Sequence, residues 1–314
     1  MNRIKTILNN HYEIDNINVS PQQGGWSALA YKVFNNTNTY FLKVYEKSRA
    51  STPKWTALID KYVPIMVWLR EHSSLKGKIP VSLFTKNGDY MCEDDEGIYL
   101  LYEYIDGDTV GDKVLNKEQV YQLSEIITEL HLHREEIPIE TDAITEDFNV
   151  PFLQQMRGTV DKGYKNMADD VKDLINPYIE QMISLVDTVE KLSVSLRKSQ
   201  LKMVLCHTDL HNWNLMQSEQ QLILIDWEGL KLAPVEADLM FLVDQPFYDE
   251  FLKIYQKNQE NFVINLDALQ FYKGRRKLED IWDFLEQLLY DNQDEQERTD
   301  TMNYLSKELK VIGD

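Results

Sequence analysis

A short polar segment between two apolar runs carries the residue types that phosphoryl transfer needs. Asp209 comes soon after the apolar run 203–206, Asn214 lies five residues later, and the apolar run 222–225 ends at Asp226. A carboxylate can accept the proton of an attacking hydroxyl, while an amide oxygen and a second carboxylate can hold Mg2+ against the phosphates of a nucleotide. Each residue alone is typical of a solvated loop beside a strand, but the spacing of all three favours a phosphoryl-transfer site.

A lysine and two glycines in the N-terminal part could contact the same phosphates. Lys43 lies between Leu42 and Val44 in an apolar run, where an unpaired buried ammonium would be costly. It therefore either points to solvent or has an anionic partner, and its place after a glycine-containing hairpin suits contact with the α- and β-phosphates. Gly24 and Gly25 then form a flexible cover whose backbone N–H groups bind phosphate, or else an ordinary turn.

The segment from Glu103 to Ile105 could contact the base of a nucleotide. It ends an apolar, strand-like run and is followed by two aspartates around a glycine at 106–108. Backbone N–H and C=O groups at such a position can pair with the edge of an adenine, so we predict nucleotide contacts at Glu103 and Ile105. An ordinary linker strand is the alternative.

The elements that must position these residues change in type along the chain. Residues 1–12 predict a short helix, and residues 28–34 and 39–45 predict a β-hairpin across an Asn-rich turn. Residues 52–72 predict a helix that Pro64 kinks or divides into two, and residues 80–84 and 98–105 predict further strands. Apolar spacing is then helical over 117–133, about 150–198 and from 236 onward, with the loop and strand at 204–228 between them.

This order of elements predicts an α+β fold. We expect a small β-rich N-terminal lobe and a larger, mostly helical C-terminal lobe. The boundary is placed so that residues 1–104 form a nucleotide-binding lobe and residues 105–314 form a catalytic and substrate lobe.

The composition narrows the class of partner. The chain has 314 residues, 43% of them hydrophobic, and a formal net charge of −19. That charge repels nucleic acid and anionic membranes and would attract a cationic small molecule, although acidity also serves solubility alone. No apolar stretch reaches the ~20 residues that cross a bilayer, and residues 1–15 lack the apolar core of a signal peptide, so we expect a cytoplasmic protein.

The residues with candidate chemistry resemble, in order and spacing, the aminoglycoside phosphotransferase family, which is related to the protein kinases. They are Lys43, the segment 103–105, the pattern His207-x-Asp209-x4-Asn214, and Asp226. The resemblance covers nearly the whole chain and implies a bilobal, protein-kinase-like fold with ATP between the lobes. It implies that Asp209 is the catalytic base or orients the substrate hydroxyl, and that Asn214 and Asp226 hold Mg2+. Lys43 would contact the phosphates of ATP, and GTP is also possible.

Two later segments, 226–241 and 271–281, narrow the resemblance to the spectinomycin phosphotransferase branch of that family. We therefore predict an ATP- and Mg2+-dependent O-phosphotransferase that acts on a hydroxyl of an aminoglycoside or aminocyclitol such as spectinomycin. A kinase for a cellular metabolite, such as choline, homoserine or a sugar, is the first alternative on the same scaffold. A pseudokinase that binds nucleotide without catalysis is the second.

The candidate substrate-binding residues lie on a predicted helix after residue 277. Glu279, Asp283 and Glu286 fall on one face of that helix and could receive an amine-bearing substrate. Trp282 or Phe247 could add a cation–π surface. Such a charged stripe is also typical of a solvated helix face.

One expected partner is missing from the pattern. A kinase-like fold usually pairs the strand lysine with a Glu on the following helix, but residues 54–70 contain a single acid, Asp60. Asp60, Glu71 or another acid takes this role, or the pairing is absent. Glu228, two residues after Asp226, could support the metal through water, contact the substrate or lie exposed.

Overall fold

The β-strands belong to three antiparallel sheets within the described part of the chain. The computed structural model describes residues 1–22, 24, 27–134, 137–164, 167–259 and 262–312. The strands are β1 Asn18–Gln22, β2 Leu29–Phe34, β3 Thr39–Glu46, β4 Cys92–Glu93, β5 Gly97–Glu103, β6 Asp108–Thr109, β7 Val204–Cys206, β8 Leu215–Ser218, β9 Gln221–Leu224 and β10 Lys231–Ala233. Their order is β1-β2-β3-β5-β4 in the largest sheet, β6-β8-β9 in the second and β10-β7 in the third.

The helices dominate the rest of these ranges. They are α1 Asn2–Tyr12, α2 Thr52–Thr56, α3 Ile59–His72, α4 Lys117–Leu130, α5 Phe152–Gly158, α6 Asp169–Ile175, α7 Ile179–Leu196, α8 Glu236–Leu239, α9 Tyr248–Tyr255, α10 Leu266–Tyr290 and α11 Glu295–Ile312. The β-rich N-terminal part and the mostly helical C-terminal part confirm the predicted α+β class. Among the described residues, no helix is both long and apolar enough to cross a membrane.

Helix α1 covers one face of the largest sheet. Ile4, Ile7 and Leu8 recur at helical spacing and are buried in one cluster with Leu42 and Leu101 of the sheet. Side chains alternate between the two faces of a strand, so the packing of Leu42 against α1 turns the next residue of β3 to the opposite face. That residue is Lys43, and this alternation is what presents it to the site described below.

Two local predictions need correction. The helix predicted over 52–72 is divided, but the break lies at residues 57–58, where the N–H groups of Lys61 and Tyr62 already bond to the Leu58 carbonyl and begin α3. Pro64 stays inside α3. The strand predicted over 80–84 is wrong, because the only ladder pairing described there is an isolated bridge between Ser82 and Tyr102.

The chain divides into two compact units. The first comprises Met1–Ser48, Thr52–Thr145 and Met203–Phe262, and the second comprises Arg49–Ser51, Glu146–Lys202 and Val263–Asp314. All three sheets lie in the first unit, together with every candidate catalytic and metal-binding residue. The second unit is built from α5, α6, α7, α10 and α11.

A glycine permits a close contact between two helices of the second unit. Gly274 of α10 faces α7, and a Cβ built on it would lie 2.8 Å from Cγ2 of Val189 and 3.2 Å from Cδ1 of Leu185. Val189 is fully buried and β-branched, so its side chain has little freedom to move away. Any side chain at Gly274 therefore has to push α7 and α10 apart.

We expect Gly274→Ala to lower the free energy of unfolding by about 1–3 kcal/mol, because overpacking outweighs the gain in helix propensity. Gly158→Ala in α5 is the matched control, since nothing lies within 4 Å of a Cβ at that glycine. The control should be neutral or gain up to about 1 kcal/mol. Urea titrations of both variants measure the difference, and equal gains would contradict a close contact at Gly274.

Candidate active site

A buried carboxylate holds the turn that carries the candidate base. Asp238 of α8 is fully buried and accepts the backbone N–H groups of His207 (3.0 Å) and Thr208 (2.6 Å). Thr208 has a φ of +70°, a left-handed conformation that β-branched residues rarely adopt. Hydrogen bonds to a charged acceptor are strong enough to offset that strain. Asp238 thereby fixes the backbone from which Asp209 projects.

Asp238 also pairs with the histidine that follows the last residue of α4. His131 places Nε2 3.0 Å from Oδ2 of Asp238 and Nδ1 2.8 Å from the hydroxyl of Tyr255 in α9. An ionised carboxylate only accepts, so we assign the His131 proton to Nε2, and the Tyr255 hydroxyl then donates to Nδ1. A chain of buried hydrogen bonds thus runs from α9 to the loop.

His207 joins the loop to the strand that leads to Asp226. Its Nε2 donates to the Ile225 carbonyl at 2.8 Å, and its Nδ1 accepts the Asp209 N–H at 3.2 Å. Its ring meets Trp227 edge-on, with centroids 4.7 Å apart. Both ring nitrogens are used in the neutral form, so His207 braces the site.

The structure brings Asp209, Asn214 and Asp226 together, as their spacing suggests. The buried Asn214 amide donates to the Asp209 carbonyl at 2.9 Å and to Oδ2 of Asp209 at 2.8 Å. Leu215 pairs with Leu224 across the β8–β9 hairpin, and the Ile225 N–H bonds to the Asn214 carbonyl at 2.9 Å, one residue before Asp226. The backbones of Asn214 and Asp226 are therefore neighbours, and the Asn214 amide oxygen and the half-exposed Asp226 carboxylate are candidates to ligate one metal ion.

Lys43 points into this group from β3. Its Nζ lies 3.1 Å from Oδ1 of Asp226 and 2.6 Å from Oε1 of Glu228, and the Tyr45 hydroxyl donates to the same Glu228 oxygen at 2.6 Å. Glu228 is only 8% exposed. Lys43 and Tyr45 lie two residues apart on one face of the strand, so both side chains contact the Glu228 carboxylate.

Glu228 is thus the acidic partner that the helix after β3 does not supply. Asp60 is exposed and pairs with its neighbour Lys61, and Glu71 pairs with Arg70. Of the alternatives raised by the sequence, another acid is the correct one, and surface exposure of Glu228 is wrong. The sequence offered two separate signals: the Asp-x-Glu spacing at 226–228, and a strand lysine without a glutamate partner on the next helix. The pairing was missed because 185 residues separate the two partners.

Opposite charges decide the ionisation of this pair. Burial alone would lower the pKa of Lys43, but the carboxylates of Asp226 and Glu228 outweigh burial and hold that pKa well above its ordinary value. Burial would raise the pKa of Glu228, but the Lys43 ammonium and the Tyr45 hydroxyl hold it below its ordinary value. Lys43 is therefore a fixed, charged group beside the candidate metal ligands.

The predicted nucleotide contacts lie on the same unit. A Cβ built on Gly24 would lie 2.8 Å from the Ala28 carbonyl oxygen, so the chain approaches itself too closely there for a side chain. Gly25 lies outside the described residues. Glu103 ends β5, and Tyr104 donates to the Thr39 carbonyl at 3.3 Å. Within the described ranges the Ile105 N–H has no backbone acceptor, which leaves it available to a base edge. The binding roles of Gly24, Gly25, Glu103 and Ile105 stay predictions.

The acidic face predicted on α10 is not a free surface stripe. Its three acids are half-buried within the second unit, which is described here on its own. Burial would lower the pKa of Arg275, but the carboxylate of Glu279 helps to raise it, so part of the acidic charge is balanced inside the unit. Trp282 is 4% exposed, so the expectation that its ring offers a cation–π surface is wrong. Phe247 is half-buried in the first unit.

Comparison with known proteins adds a family and a set of similar folds. The family model described as "APH: Phosphotransferase enzyme family" matches residues 18–294. The curated proteins contain no match. Solved structures that are less than 25% identical to this chain have a similar fold along nearly its whole length. Three of them are described next.

The first is spectinomycin phosphotransferase APH(9)-Ia in complex with ADP and spectinomycin, with 22% identity, a TM-score of 0.76, and coverage of 99% of this chain and 97% of that one. An APH(2'') enzyme with GDP and kanamycin has 16% identity, a TM-score of 0.60, and coverage of 100% and 98%. A microcompartment-associated aminopropanol kinase has 13% identity, a TM-score of 0.63, and coverage of 100% and 97%. These likenesses confirm the predicted protein-kinase-like α+β fold.

We expect Lys43→Met to lower the free energy of unfolding by about 3 kcal/mol, because it leaves the Glu228 carboxylate buried without a cation. Glu228→Gln should cost less, since Asp226 still pairs with the lysine, and the double variant should recover part of the loss of Lys43→Met. Lys47→Met is the matched control, because Lys47 pairs with Glu93 at the exposed end of β3. It should cost at most about 1 kcal/mol.

Urea denaturation of the parent protein and the four variants at one neutral pH measures these differences. Additive effects of Lys43→Met and Glu228→Gln would mean that the two side chains do not interact in solution.

A pH-dependent prediction follows from Asp280 of α10. Burial raises the pKa of its carboxyl to about 7, although Arg276 lies 2.9 Å away. The folded state then favours the protonated acid, and this contribution is complete below the ordinary pKa of 3.8 and is lost as pH rises towards 7. Asp280→Asn should therefore stabilise the protein by about 1–2 kcal/mol at pH 8 and by little at pH 4.

Thermal unfolding of Asp280→Asn across that pH range tests the sign. Asp300→Asn, at an exposed position of α11, is the control and should follow the parent protein. A variant that loses stability at pH 8 would show instead that the ion pair with Arg276 outweighs burial.

Proposed function

The chain belongs to the phosphotransferase enzyme family, and from that premise we propose that it transfers the γ-phosphate of ATP to a hydroxyl of a cationic small molecule. One observation carries the proposal. The side-chain amide of Asn214 fixes the Asp209 carboxylate, and the Lys43 ammonium lies 3.1 Å from Asp226. The backbone of Asp226 runs beside that of Asn214 at the β8–β9 hairpin. A base, two metal ligands and a phosphate-binding cation are the parts that this reaction needs.

The residues fit a magnesium nucleotide. Both amide hydrogens of Asn214 are committed to Asp209, so its oxygen is the atom left to ligate, and 41% of the Asp226 side chain is exposed. Asn214 and Asp226 would hold Mg2+, which when bound neutralises charge on the phosphates. A bound triphosphate would compete with Glu228 for Lys43, whose ammonium is already aimed at the site. Gly24 and Gly25 would cover the phosphates, and the backbone of Glu103 and Ile105 would contact the base.

The reaction itself needs a base in reach of the acceptor. Asp209 takes the proton of the acceptor hydroxyl while the oxygen of that hydroxyl forms a bond to the γ-phosphorus. The bond from the γ-phosphorus to the β–γ bridging oxygen breaks in line, and ADP leaves. Lys43 stabilises the charge that develops on the phosphate oxygens. In this proposal residues 1–104 serve the nucleotide, and residues 105–314 serve catalysis and the acceptor.

We propose an aminoglycoside or aminocyclitol such as spectinomycin as the acceptor. Supporting points are the net charge of −19, the segments 226–241 and 271–281, and the likeness to a structure that holds ADP and spectinomycin. An amino alcohol or another small metabolite is the second candidate, favoured by the likeness to an aminopropanol kinase. GTP is tested beside ATP, because one similar structure holds GDP.

We expect a Mg2+-dependent consumption of ATP with one or more members of a panel of aminoglycosides, spectinomycin, choline, homoserine and amino alcohols. Asp209→Asn should lower kcat at least about 100-fold, because general-base catalysis contributes roughly that much or more. Binding of Mg-ATP, measured by calorimetry, should persist in the variant. Asp249→Asn, at an exposed position of α9, is the control and should keep parental turnover.

Two outcomes would contradict the proposal. Parental turnover in Asp209→Asn would remove Asp209 from the role of base. Tight Mg-ATP binding without turnover on any acceptor would favour a nucleotide-binding protein without catalysis.

A further inference from the structure

A second histidine contacts the candidate base on the side that Asn214 leaves open. His211 lies two residues after Asp209, and its Nε2 is 3.3 Å from Oδ1 of Asp209. The same nitrogen is 3.3 Å from Nδ2 of Asn214. Neither the phosphoryl-transfer pattern nor the brace made by His207 uses this side chain.

The other nitrogen of His211 has an unusual environment. Within the described ranges of the chain, Nδ1 of His211 is buried and has no hydrogen-bond partner. The ring packs edge-on against Phe241, with centroids 6.4 Å apart. Buried polar atoms in native proteins nearly always have partners, so the environment of this nitrogen needs an explanation.

The hydrogen bonds around Asn214 decide which nitrogen of His211 carries the proton. The two amide hydrogens of Asn214 already go to the carbonyl and to Oδ2 of Asp209, so the amide has none left for Nε2. A proton on Nδ1 would be buried without an acceptor and would leave the Nε2 lone pair facing the Asp209 carboxylate. A proton on Nε2 is donated to Oδ1 of Asp209, and only an acceptor is left unsatisfied at Nδ1.

We propose that His211 is a positioning residue that donates from Nε2 to Oδ1 of Asp209. This inference rests on the proposed function, in which Asp209 is the base. With Asn214 on Oδ2 and His211 on Oδ1, both carboxylate oxygens are held and the plane of the carboxylate is fixed. A carboxylate oxygen can accept more than one hydrogen bond, so these two contacts orient the base without removing its capacity to take the proton of the acceptor hydroxyl.

The first test reads the imidazole directly and needs no acceptor substrate. In a long-range 1H–15N spectrum of the full chain, the His211 signals are those that disappear in His211→Phe. We expect Nε2 of His211 to carry a proton in the parent protein. A spectrum in which Nε2 lacks the proton overturns the proposal, whatever the protein phosphorylates.

The second test uses whichever acceptor supports turnover. His211→Phe keeps a ring against Phe241 but has no donor, and we expect kcat to fall about 10- to 100-fold, the loss that one hydrogen bond to a charged group represents. The KM for Mg-ATP should stay within a few-fold, since Lys43, Asn214 and Asp226 are untouched. His211→Gln returns an N–H donor at a similar reach and should recover part of kcat.

The outcomes separate the two proposals. Equal losses in His211→Phe and His211→Gln would reduce His211 to a packing residue, and parental kcat in His211→Phe would contradict any role. If no acceptor is turned over, the proposed function fails, while the NMR result still decides whether Nε2 of His211 donates.

Discussion

The site depends on one buried carboxylate. Asp238 accepts the N–H groups of His207 and Thr208, and without that anion the left-handed Thr208 would lose the backbone hydrogen bond that offsets its strain. A fully buried carboxylate is costly unless its oxygens are satisfied, and His131, itself bonded to Tyr255, supplies the remaining donor. Hydrogen bonds therefore tie the loop to the helices behind it. A rigid loop is what a base needs if it is to meet a hydroxyl in a fixed direction.

Hydrogen bonds and ion pairs connect that turn to the candidate base, the candidate metal ligands and Lys43. His207 connects the loop to the strand before Asp226, and Asn214 connects the loop to the carboxylate of Asp209. The segment that carries Asp226 also carries Glu228, which holds Lys43 of β3. A single three-residue stretch thus carries the candidate metal ligand Asp226 and the anion that fixes Lys43, the candidate phosphate-binding lysine. Glu228 pairs with the strand lysine in place of the usual helix glutamate, and it lies on the segment that carries the candidate metal ligand.

Local spacing explains what the sequence could predict. Asp209 and Asn214 are five residues apart, and the apolar run before Asp226 is one strand of a tight hairpin, so short-range geometry alone brings them together. Strand alternation was likewise enough to place Lys43 on the face opposite Leu42. Contacts that close long loops were beyond such reasoning, because nothing local to Lys43 or Glu228 identifies the other. The same limit applies to Trp282, whose burial depends on packing that helical periodicity does not reveal, and to the strand predicted over 80–84.

We propose above that the protein transfers phosphate from a nucleotide to the hydroxyl of a small molecule. The most direct measurement is 31P NMR of Mg-ATP with the full chain and an acceptor that stimulates ATP consumption. We predict that ADP and a phosphomonoester of the acceptor grow together in equal amounts, and that Asp209→Asn suppresses both signals. Growth of inorganic phosphate in place of the monoester, or equal monoester formation by Asp209→Asn, would contradict the account.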